Sequence, residues 1–402
     1  MQAINSNVES LKKKVIDAVD SQKEKLIKIS HAIHENPEVA FDEHFAHATL
    51  TDALKDEGLP VVLNAFGVET AFSVDVGSGD YCVSVICEYD ALPGIGHACG
   101  HNVIAAAGLG AGIALAPIAE ALGVRLRILG TPAEESGGGK VVMARAGAFA
   151  NVDAAMMVHP ADADIAALSF LAIQQMKVTF TGLAAHASVS PHKGKNALDA
   201  AVLGYMGVSA LRQHILPTER IHGIFVRGGE RPNIVPRETE MEWYVRSPSI
   251  ESLQPLKKRV VSCFNGAATV CDCQVKIDYD HFTAADVKHN MPMVDAYVAN
   301  AKSLGRSYDL SALPSGGSGS TDMGNISYIV PSIHPMIQIA PNGVALHTTE
   351  FAECAASSQA DDAVIAGAKL LAMTAIDTWV SSDLRNQLKD NFGSAAPASL
   401  VL

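Results

Sequence analysis

The sequence predicts an α/β protein with an open mixed sheet flanked by helices and an inserted ferredoxin-like α+β domain. Two observations predict this fold class. Over roughly the first 160 residues, strand-like apolar segments alternate with helical patterns, as in an open α/β sheet. From about Leu171 the order becomes β-α-β-β-α-β, the split βαβ pattern of ferredoxin-like domains. We therefore assign residues 1–171 and 288–402 to one domain and residues 172–287 to the inserted one.

The elements of the first domain follow from hydrophobic periodicity and from residues that stop helices. Helical patterns cover 26–34, which ends near Asn36-Pro37, and 42–57, which ends at Gly58. Strand-like apolar segments occupy 69–76, 81–88, 124–129 and 154–158. Further helices follow residue 101 and cover 139–148. After residue 287 we expect a Gly/Ser loop at 315–320, a strand near 336–339, a helix over 360–377 and a mobile tail from Asn391.

The inserted domain has its own alternation of strands and helices. Its strands are predicted at 172–181, 222–227, 238–246 and 273–279. Its helices are predicted at 196–213 and 250–269. We expect a hinge at the two connections, near 170–173 and 285–288.

The composition narrows the class of protein. Hydrophobic residues make up 48% and charged residues 18% of 402 residues, which is typical of a globular protein. The net charge of -13 argues against binding to nucleic acid or to anionic membranes, both of which need basic surfaces. Seven cysteines, an odd number, indicate reduced thiols and a cytoplasmic location. The uncharged segment 103–119 is shorter than the roughly 20 residues of a membrane span, and the N-terminus lacks a signal-peptide pattern.

Polar clusters follow three of the predicted strands. Glu88-Tyr89-Asp90 and the segment 97–101 come after strand 81–88, and Glu134-Glu135 comes after strand 124–129. His159 follows strand 154–158. Ligands of open α/β sheets bind beyond the carboxyl ends of the strands, so these clusters are expected to converge at one edge.

The residue types in these clusters suit a metal site. Thiolate, imidazole and carboxylate groups are the usual zinc donors, and Cys99 and His101 are two residues apart in a glycine-containing turn. Of the pair Glu134-Glu135, one carboxylate can ligate while its neighbour acts as general base on a metal-bound water. The charge suits two divalent ions, with zinc expected and manganese or cobalt also compatible. Each cluster alone would more often be structural, and the prediction depends on their combination.

Other motifs are excluded or remain structural. The segment 137–140 lacks the glycine and the Ser/Thr of a P-loop, and the segment 108–112 does not match the dinucleotide fingerprint. There is no Pro-Cys-x-x-Cys zinc motif and no Gly-x-Ser-x-Gly nucleophile elbow. We assign Cys271-Asp272-Cys273 to the core of the inserted domain.

A set of ordered motifs resembles a known family. They are HENPE (34–38), EYDALPGIGHACGHN (88–102), GTPAEE (130–135), VHP (158–160), GLAAHAS (182–188), PNIVP (232–236), GSTDMGN (319–325) and HTTEF (347–351). Together they resemble the aminoacylase/carboxypeptidase-type metallopeptidase superfamily, in its amino-acid-conjugate amidohydrolase branch. Within that branch the sequence is most similar to Xaa-Arg (β-alanyl-lysine-type) dipeptidases and aminobenzoyl-glutamate hydrolases. The likeness covers about residues 30 to 375.

The resemblance implies a role for each matching residue at the metals. Cys99 would bridge two ions, and the other ligands would be His101, Glu135, His159 and His347. Glu134 would be the general base that activates the metal-bridging water and then protonates the leaving amine. Asp90 would orient a metal ligand.

The resemblance also implies substrate contacts. His186, in the inserted domain, would stabilise the oxyanion, and Asn233 would contact the substrate. The turn at Ser320-Thr321 would hold the substrate carboxylate. His192 stands where relatives tend to carry Trp, so it is expected to influence substrate preference, and His347-Thr348-Thr349 replaces the usual His-Thr-Pro. His97 is expected to be structural.

Three functions remain open at this stage. The first is a hydrolase of a dipeptide or an N-acyl amino acid, in which domain closure brings His186 to the metals. The second is a specialised biosynthetic amidohydrolase, or an amide-forming enzyme, on the same scaffold. The third is a non-catalytic partner subunit, which has no need for Glu134 beside Glu135. The exposed sheet edge of the inserted domain favours a homodimer.

Overall fold

The computed structural model describes residues 2–279, 282–308 and 319–402. Its strands are β1 (Val61–Leu63), β2 (Phe72–Val76), β3 (Cys82–Glu88), β4 (Arg125–Thr131), β5 (Ala154–Met156), β6 (His159–Ala161), β7 (Ala172–Thr181), β8 (Arg220–Arg227), β9 (Glu238–Ser247), β10 (Gln274–Tyr279), β11 (Ser332–Ile333) and β12 (Met336–Gln338). Its helices are α1 (Gln2–Ser21), α2 (Lys23–Glu35), α3 (His44–Asp56), α4 (His101–Leu122), α5 (Gly139–Arg145), α6 (Ala197–Leu211), α7 (Ile250–Val270), α8 (Met291–Ser303), α9 (Met323–Ser327), α10 (Thr349–Cys354), α11 (Ser358–Val380), α12 (Ser382–Phe392) and α13 (Ala398–Val401).

The first domain is built on a mixed sheet with the strand order β1-β2-β4-β3-β5-β11. Strands β4, β3, β5 and β11 run parallel, and β1 and β2 form an antiparallel edge. Every residue of β3 is buried, because helices cover both faces of a parallel sheet and leave no polar face. Helix α4 packs between β3 and helix α11. The predicted open mixed sheet is confirmed.

The inserted domain is an antiparallel sheet with the order β10-β7-β9-β8. Helices α6 and α7 pack on each other and cover one face of this sheet. Buried and exposed positions alternate along β9, as expected for a strand with one buried face. The chain order of these elements is β-α-β-β-α-β, so the predicted ferredoxin-like pattern is confirmed.

Some details of the first domain differ from expectation. A small parallel pair, β6 with β12, was not predicted, and β6 begins at His159. The tail after Asn391 was expected to be mobile, but it packs against the protein. Val401 is buried, and its carbonyl accepts a hydrogen bond of 2.6 Å from Asn325 Nδ2. Residues 315–318 of the predicted Gly/Ser loop lie outside the described residues.

Two helices of the described chain are long and apolar enough to cross a membrane. Helix α4 has 22 residues, more than the sequence pattern indicated, and α11 has 23. The apolar windows of these helices are 94% and 78% buried inside the protein, as is usual for core helices. All seven cysteines lie in the described part of the chain and are free thiols.

Candidate metal centre

The carboxyl edge of the first sheet brings together residues from distant parts of the chain. Strand β3 ends at Glu88, two residues before Asp90, and β4 leads into Glu134 and Glu135. The turn before α4 supplies Cys99, with Gly100 at a φ of 74°. A Cβ atom at Gly100 would lie 2.8 Å from the Pro160 ring, so glycine permits this close approach. The predicted convergence of these strand ends is therefore observed.

Five of the predicted site residues surround one small volume. The Cys99 sulfur lies 3.3 Å from His347 Nε2 and 3.8 Å from His159 Nε2. The Glu135 carboxylate lies 3.8 Å from His101 Nε2 and 3.5 Å from His347 Nε2. Potential ligand atoms lie within 4.8 Å of one another in each of three overlapping groups, Cys99–His101–His159, Cys99–Glu135–His347 and His101–Glu134–Glu135. Cys99, His101 and Glu135 each belong to two of these groups, so the groups form one continuous cluster.

Asp90 accepts hydrogen bonds from two of these residues. Its Oδ1 accepts a hydrogen bond of 2.9 Å from His101 Nδ1, and its Oδ2 accepts one of 2.9 Å from the backbone N–H of Glu135. The first bond directs His101 Nε2 toward the cluster, as carboxylates commonly do for metal-binding histidines. Burial opposes a charge on His101, but the Asp90 carboxylate outweighs it and raises the pKa of His101 well above its usual range.

His159 is held as a neutral imidazole. Its Nδ1 donates a hydrogen bond of 2.7 Å to the carbonyl oxygen of Pro160, which leaves the lone pair of Nε2 facing Cys99. Burial lowers the pKa of His159 to about 4. Neutral imidazole is the form that ligates metals. His97, in contrast, contacts the Ile33 carbonyl at 3.1 Å and lies apart from these groups, as expected for a structural residue.

The unsatisfied atoms of the cluster fit divalent cations. Among the described residues, His101 Nε2 and Glu135 Oε1 are buried and have no hydrogen-bond partner. Burial also raises the pKa of the Cys99 thiol well above its ordinary value. A nearby cation would reverse this, because coordinated thiols are deprotonated. Buried polar atoms without partners are costly, so the donor set fits a positively charged partner.

Glu134 stands beside a second buried group of charges. Burial, followed by the Glu88 and Glu135 carboxylates, raises the pKa of Glu134 well above its usual range. Behind it, the Lys140 ammonium lies 2.5 Å from Glu88 Oε1 and 2.7 Å from Asp322 Oδ1, and all three side chains are fully buried. The roles of Glu88, Lys140 and Asp322 were missed. The available signals were that Glu88 ends a strand and that Asp322 follows the Ser320-Thr321 turn.

A cleft of about 590 Å³ opens beside Glu134 and Glu135. Its described lining combines residues of the first domain with residues of the inserted domain, including Ile173, Gln175 and Tyr244. Ser320 and Thr321 line the cleft as well. The Ser320 hydroxyl donates to the carbonyl oxygen of Leu171 at 2.7 Å, so this turn is tied to the connection between the domains.

Three residues predicted to contact the substrate lie elsewhere. His186, His192 and Asn233 belong to the inserted domain and are not part of the cleft lining. The polar contact of the His186 ring is the neighbouring Ser188, whose hydroxyl lies 3.2 Å from Nδ1. The structure therefore assembles the predicted residues of the first domain and leaves those of the inserted domain apart from them.

Comparisons with known sequences identify the family of the chain. A family model described as peptidase family M20/M25/M40 matches residues 87–377. The chain is 40% identical over 402 residues to the Xaa-Arg dipeptidase of Mus musculus, covering 96% of this chain and 93% of that protein. It is 38% identical over 406 residues to the Xaa-Arg dipeptidase of Homo sapiens, with the same two coverages of 96% and 93%. A p-aminobenzoyl-glutamate hydrolase chain of Escherichia coli (strain K12) is 34% identical over 285 residues, covering 66% of this chain and 59% of its own.

Solved structures share the fold. The aminobenzoyl-glutamate utilization protein of Klebsiella pneumoniae has a TM-score of 0.72 at 19% identity and covers 90% of this chain and 98% of its own. The YXEP protein of Bacillus subtilis, described as a dinuclear metal binding peptidase from the M20 family, has a TM-score of 0.70 at 18% identity, with coverages of 90% and 99%. The chain thus belongs to peptidase family M20/M25/M40, as its motifs predicted, and it is a hydrolytic enzyme of the dipeptidase and amidohydrolase type.

Proposed function

We propose that this enzyme hydrolyses the amide bond of a dipeptide or an N-acyl amino acid, with Glu134 as the general base. The observation that carries the proposal is the placement of Glu134. Its carboxylate lines the cleft and belongs, with Glu135 and His101, to a group whose ligand atoms lie within 4.8 Å of one another. A base must lie within reach of the water that it deprotonates, and this water must lie near the substrate carbonyl.

Two divalent ions are part of the proposal. Cys99, His101, Glu135, His159 and His347 would hold them, because their ligand atoms form overlapping groups within 4.8 Å. When bound, the ions supply Lewis acidity that polarises the amide carbonyl and lowers the pKa of water. Zinc suits the mixed sulfur, nitrogen and oxygen donor set, and manganese or cobalt are also compatible.

Glu134 performs the proton transfers in this scheme. Its carboxylate lies beside the ligand atoms of His101 and Glu135 and would take the proton of the attacking water. The same carboxyl group then delivers that proton to the leaving amine, which must be protonated to depart. Its partly buried position limits exchange of the proton with bulk water.

We further propose that the substrate carries a basic residue. A relative that matches most of the chain is named Xaa-Arg dipeptidase. Among the described residues that line the cleft there are Glu134, Glu135 and Asp322 but no Lys or Arg. The described lining therefore offers no Lys or Arg that could pair with the side-chain carboxylate of a glutamate conjugate. The Ser320-Thr321 turn is proposed to hold the substrate carboxylate through backbone N–H groups.

Three residues of the inserted domain enter this scheme through domain closure. We propose that rotation about 170–173 and 285–288 brings His186 and Asn233 over the cleft, where His186 stabilises the oxyanion and His192 influences substrate choice. We also propose a cytoplasmic homodimer. Strand β8 is an edge strand with Ile224 and Val226 61% and 48% exposed, and an edge of this kind favours pairing with a second copy.

The test is hydrolysis of a panel of dipeptides and acyl amino acids, with released amine as the readout. Glu134→Gln is expected to lower kcat by about 10²- to 10⁴-fold, because it removes the base, while the metal content stays unchanged. Glu120→Gln, on the exposed side of α4, is the matched control and should retain full activity. Unchanged hydrolysis by Glu134→Gln would overturn the assignment of the base.

A further inference from the structure

A buried carboxylate outside the metal centre, that of Glu43, has unusual partners. Glu43 occupies the N-cap position of α3, but its side chain makes no capping hydrogen bond. That role belongs to Glu38, whose carboxylate accepts from the backbone N–H groups of Phe45 and Ala46. The Glu43 carboxylate is therefore free to act elsewhere, and its residue is 0% exposed.

The carboxylate of Glu43 joins two distant segments. Its Oε1 accepts a hydrogen bond of 3.0 Å from the backbone N–H of Phe41 and one of 2.8 Å from that of Ala133. Its Oε2 accepts one of 2.8 Å from the Thr70 hydroxyl. A single oxygen atom thus sets the distance between the segment before α3 and the loop after β4.

Both of these N–H donors belong to residues with strained backbones. Phe41 has a φ of 65° and Ala133 a φ of 59°, in the left-handed region that side chains disfavour. Such conformations persist only where the surroundings hold them, and they cluster at functional sites. Buried N–H groups need an acceptor, and Glu43 Oε1 accepts from both, so Glu43 can hold both conformations.

The two strained residues belong to different parts of the active site. Ala133 directly precedes Glu134 and Glu135, so its φ sets the direction in which both carboxylates leave the strand. Phe41 lines the cleft, and a Cβ atom at Gly137 would lie 2.6 Å from its ring. The ring thus packs on the loop that carries the base.

We propose that Glu43 is a positioning residue. It fixes the position of the general base Glu134 relative to Phe41, which forms a wall of the cleft. The inference rests on the proposed function, because the orientation of Glu134 matters for catalysis only if Glu134 is the general base. Burial raises the pKa of Glu43 to about 7, so a neutral acceptor is compatible with this environment. Gln can place one oxygen on both N–H groups and an amide on Thr70, and it is the conservative variant.

The test compares kcat and KM for variants at these positions. Glu43→Ala is expected to lower kcat by about 100-fold, because Glu134 is displaced, and to raise KM, because Phe41 moves. Glu43→Gln is expected to stay within about threefold of the wild type, since both acceptor bonds persist. Glu219→Ala is the control. It removes another buried carboxylate, which lies in the inserted domain and accepts a hydrogen bond from the backbone N–H of Leu216. This variant should lower the stability of the protein and leave kcat and KM unchanged.

A rescue distinguishes positioning from a general loss of structure. Glycine adopts positive φ readily, so Ala133→Gly added to Glu43→Ala is expected to restore most of kcat and none of KM. Phe41→Ala should raise KM by itself and add nothing to the KM of Glu43→Ala, since both act on the same wall. A folded Glu43→Ala protein with kcat and KM near the wild type, or the absence of rescue by Ala133→Gly, overturns the proposal.

Two further experiments test the proposal if Glu43→Ala does not fold or if the wild type shows no activity. If Glu43→Ala does not fold, Glu43→Asp replaces it, because the shorter side chain reaches only one of the two N–H groups and should lower kcat in the same direction. If the wild type hydrolyses no substrate, the proposed function fails by itself. Crystal structures then test Glu43 alone, through the φ of Phe41 and Ala133 in the wild type and in the variant. Unchanged φ values refute positioning, and a shift out of the left-handed region supports it.

Discussion

Replacement of Lys140 by Met is expected to destabilise the protein by about 3–5 kcal/mol at pH 8. The Lys140 ammonium lies within 2.7 Å of two carboxylates, those of Glu88 and Asp322, and none of the three side chains is exposed. Methionine preserves most of the volume but leaves two buried negative charges without a cation. Removing one partner of a buried ion pair lowers the free energy of unfolding by far more than the complete pair contributes to it.

The loss of stability in Lys140→Met should depend on pH. Burial, only partly offset by Lys140, raises the pKa of Asp322 to about 6. Without the ammonium, the pKa of Asp322 in the folded protein rises further above its unfolded value. A carboxyl group with a raised pKa in the folded state binds a proton there that the unfolded chain releases, so stability falls as pH rises. The difference between Lys140→Met and the wild type should therefore be larger at pH 8 than at pH 5.5.

Urea denaturation followed by circular dichroism at the two pH values measures this difference. Lys13→Met is the matched control, because Lys13 pairs with Asp17 at side-chain exposures of 75% and 61%. Loss of such an exposed pair should cost about 0.5 kcal/mol or less. Adding Asp322→Asn to Lys140→Met should recover part of the stability, since it removes one unpaired charge. The reasoning is refuted if Lys140→Met is as stable as Lys13→Met at pH 8.

Two further predictions concern the metals and the domains. Asp90→Asn retains one acceptor oxygen for two donors, His101 Nδ1 and the Glu135 N–H. This variant should bind the metals about 10- to 100-fold more weakly. Competition with a chelator measures the affinity, and an unchanged affinity would contradict the prediction. A non-hydrolysable dipeptide analogue should reduce the radius of gyration measured by small-angle scattering. The reason is that domain closure about 170–173 and 285–288 brings His186 over the cleft. Identical scattering with and without the analogue counts against closure.

The inserted domain was the most predictable part of the fold. Strand β7 spans Ala172–Thr181, the range predicted from its pattern, and β9 extends one residue beyond the predicted 238–246. These strands belong to an antiparallel sheet with one buried face, so each carries its own alternation of buried and exposed positions. Strands β6 and β11 were missed, because they have three and two residues and exist only through parallel pairing with distant segments.

The candidate site was predictable to a different extent for different residues. Cys99, Glu134 and Glu135 follow predicted strands, so the rule for the edges of open sheets places them together. His347 reaches the Cys99 sulfur from 248 residues away, and no local pattern indicates that approach. Glu43 and Lys140 stand in segments that look like ordinary loops and helix starts, because a buried charge has no local signature.

The sequence by itself determined the family, the fold class and the residue types at the metal centre, because periodicity and motif spacing are local properties of the chain. Only the tertiary structure decided which charges are buried and what they contact. It placed Lys140 between two carboxylates and gave Glu43 two strained N–H donors. It also left His186 outside the cleft. These outcomes depend on long-range packing, since the energy of a buried charge is set by partners that the chain brings from distant segments.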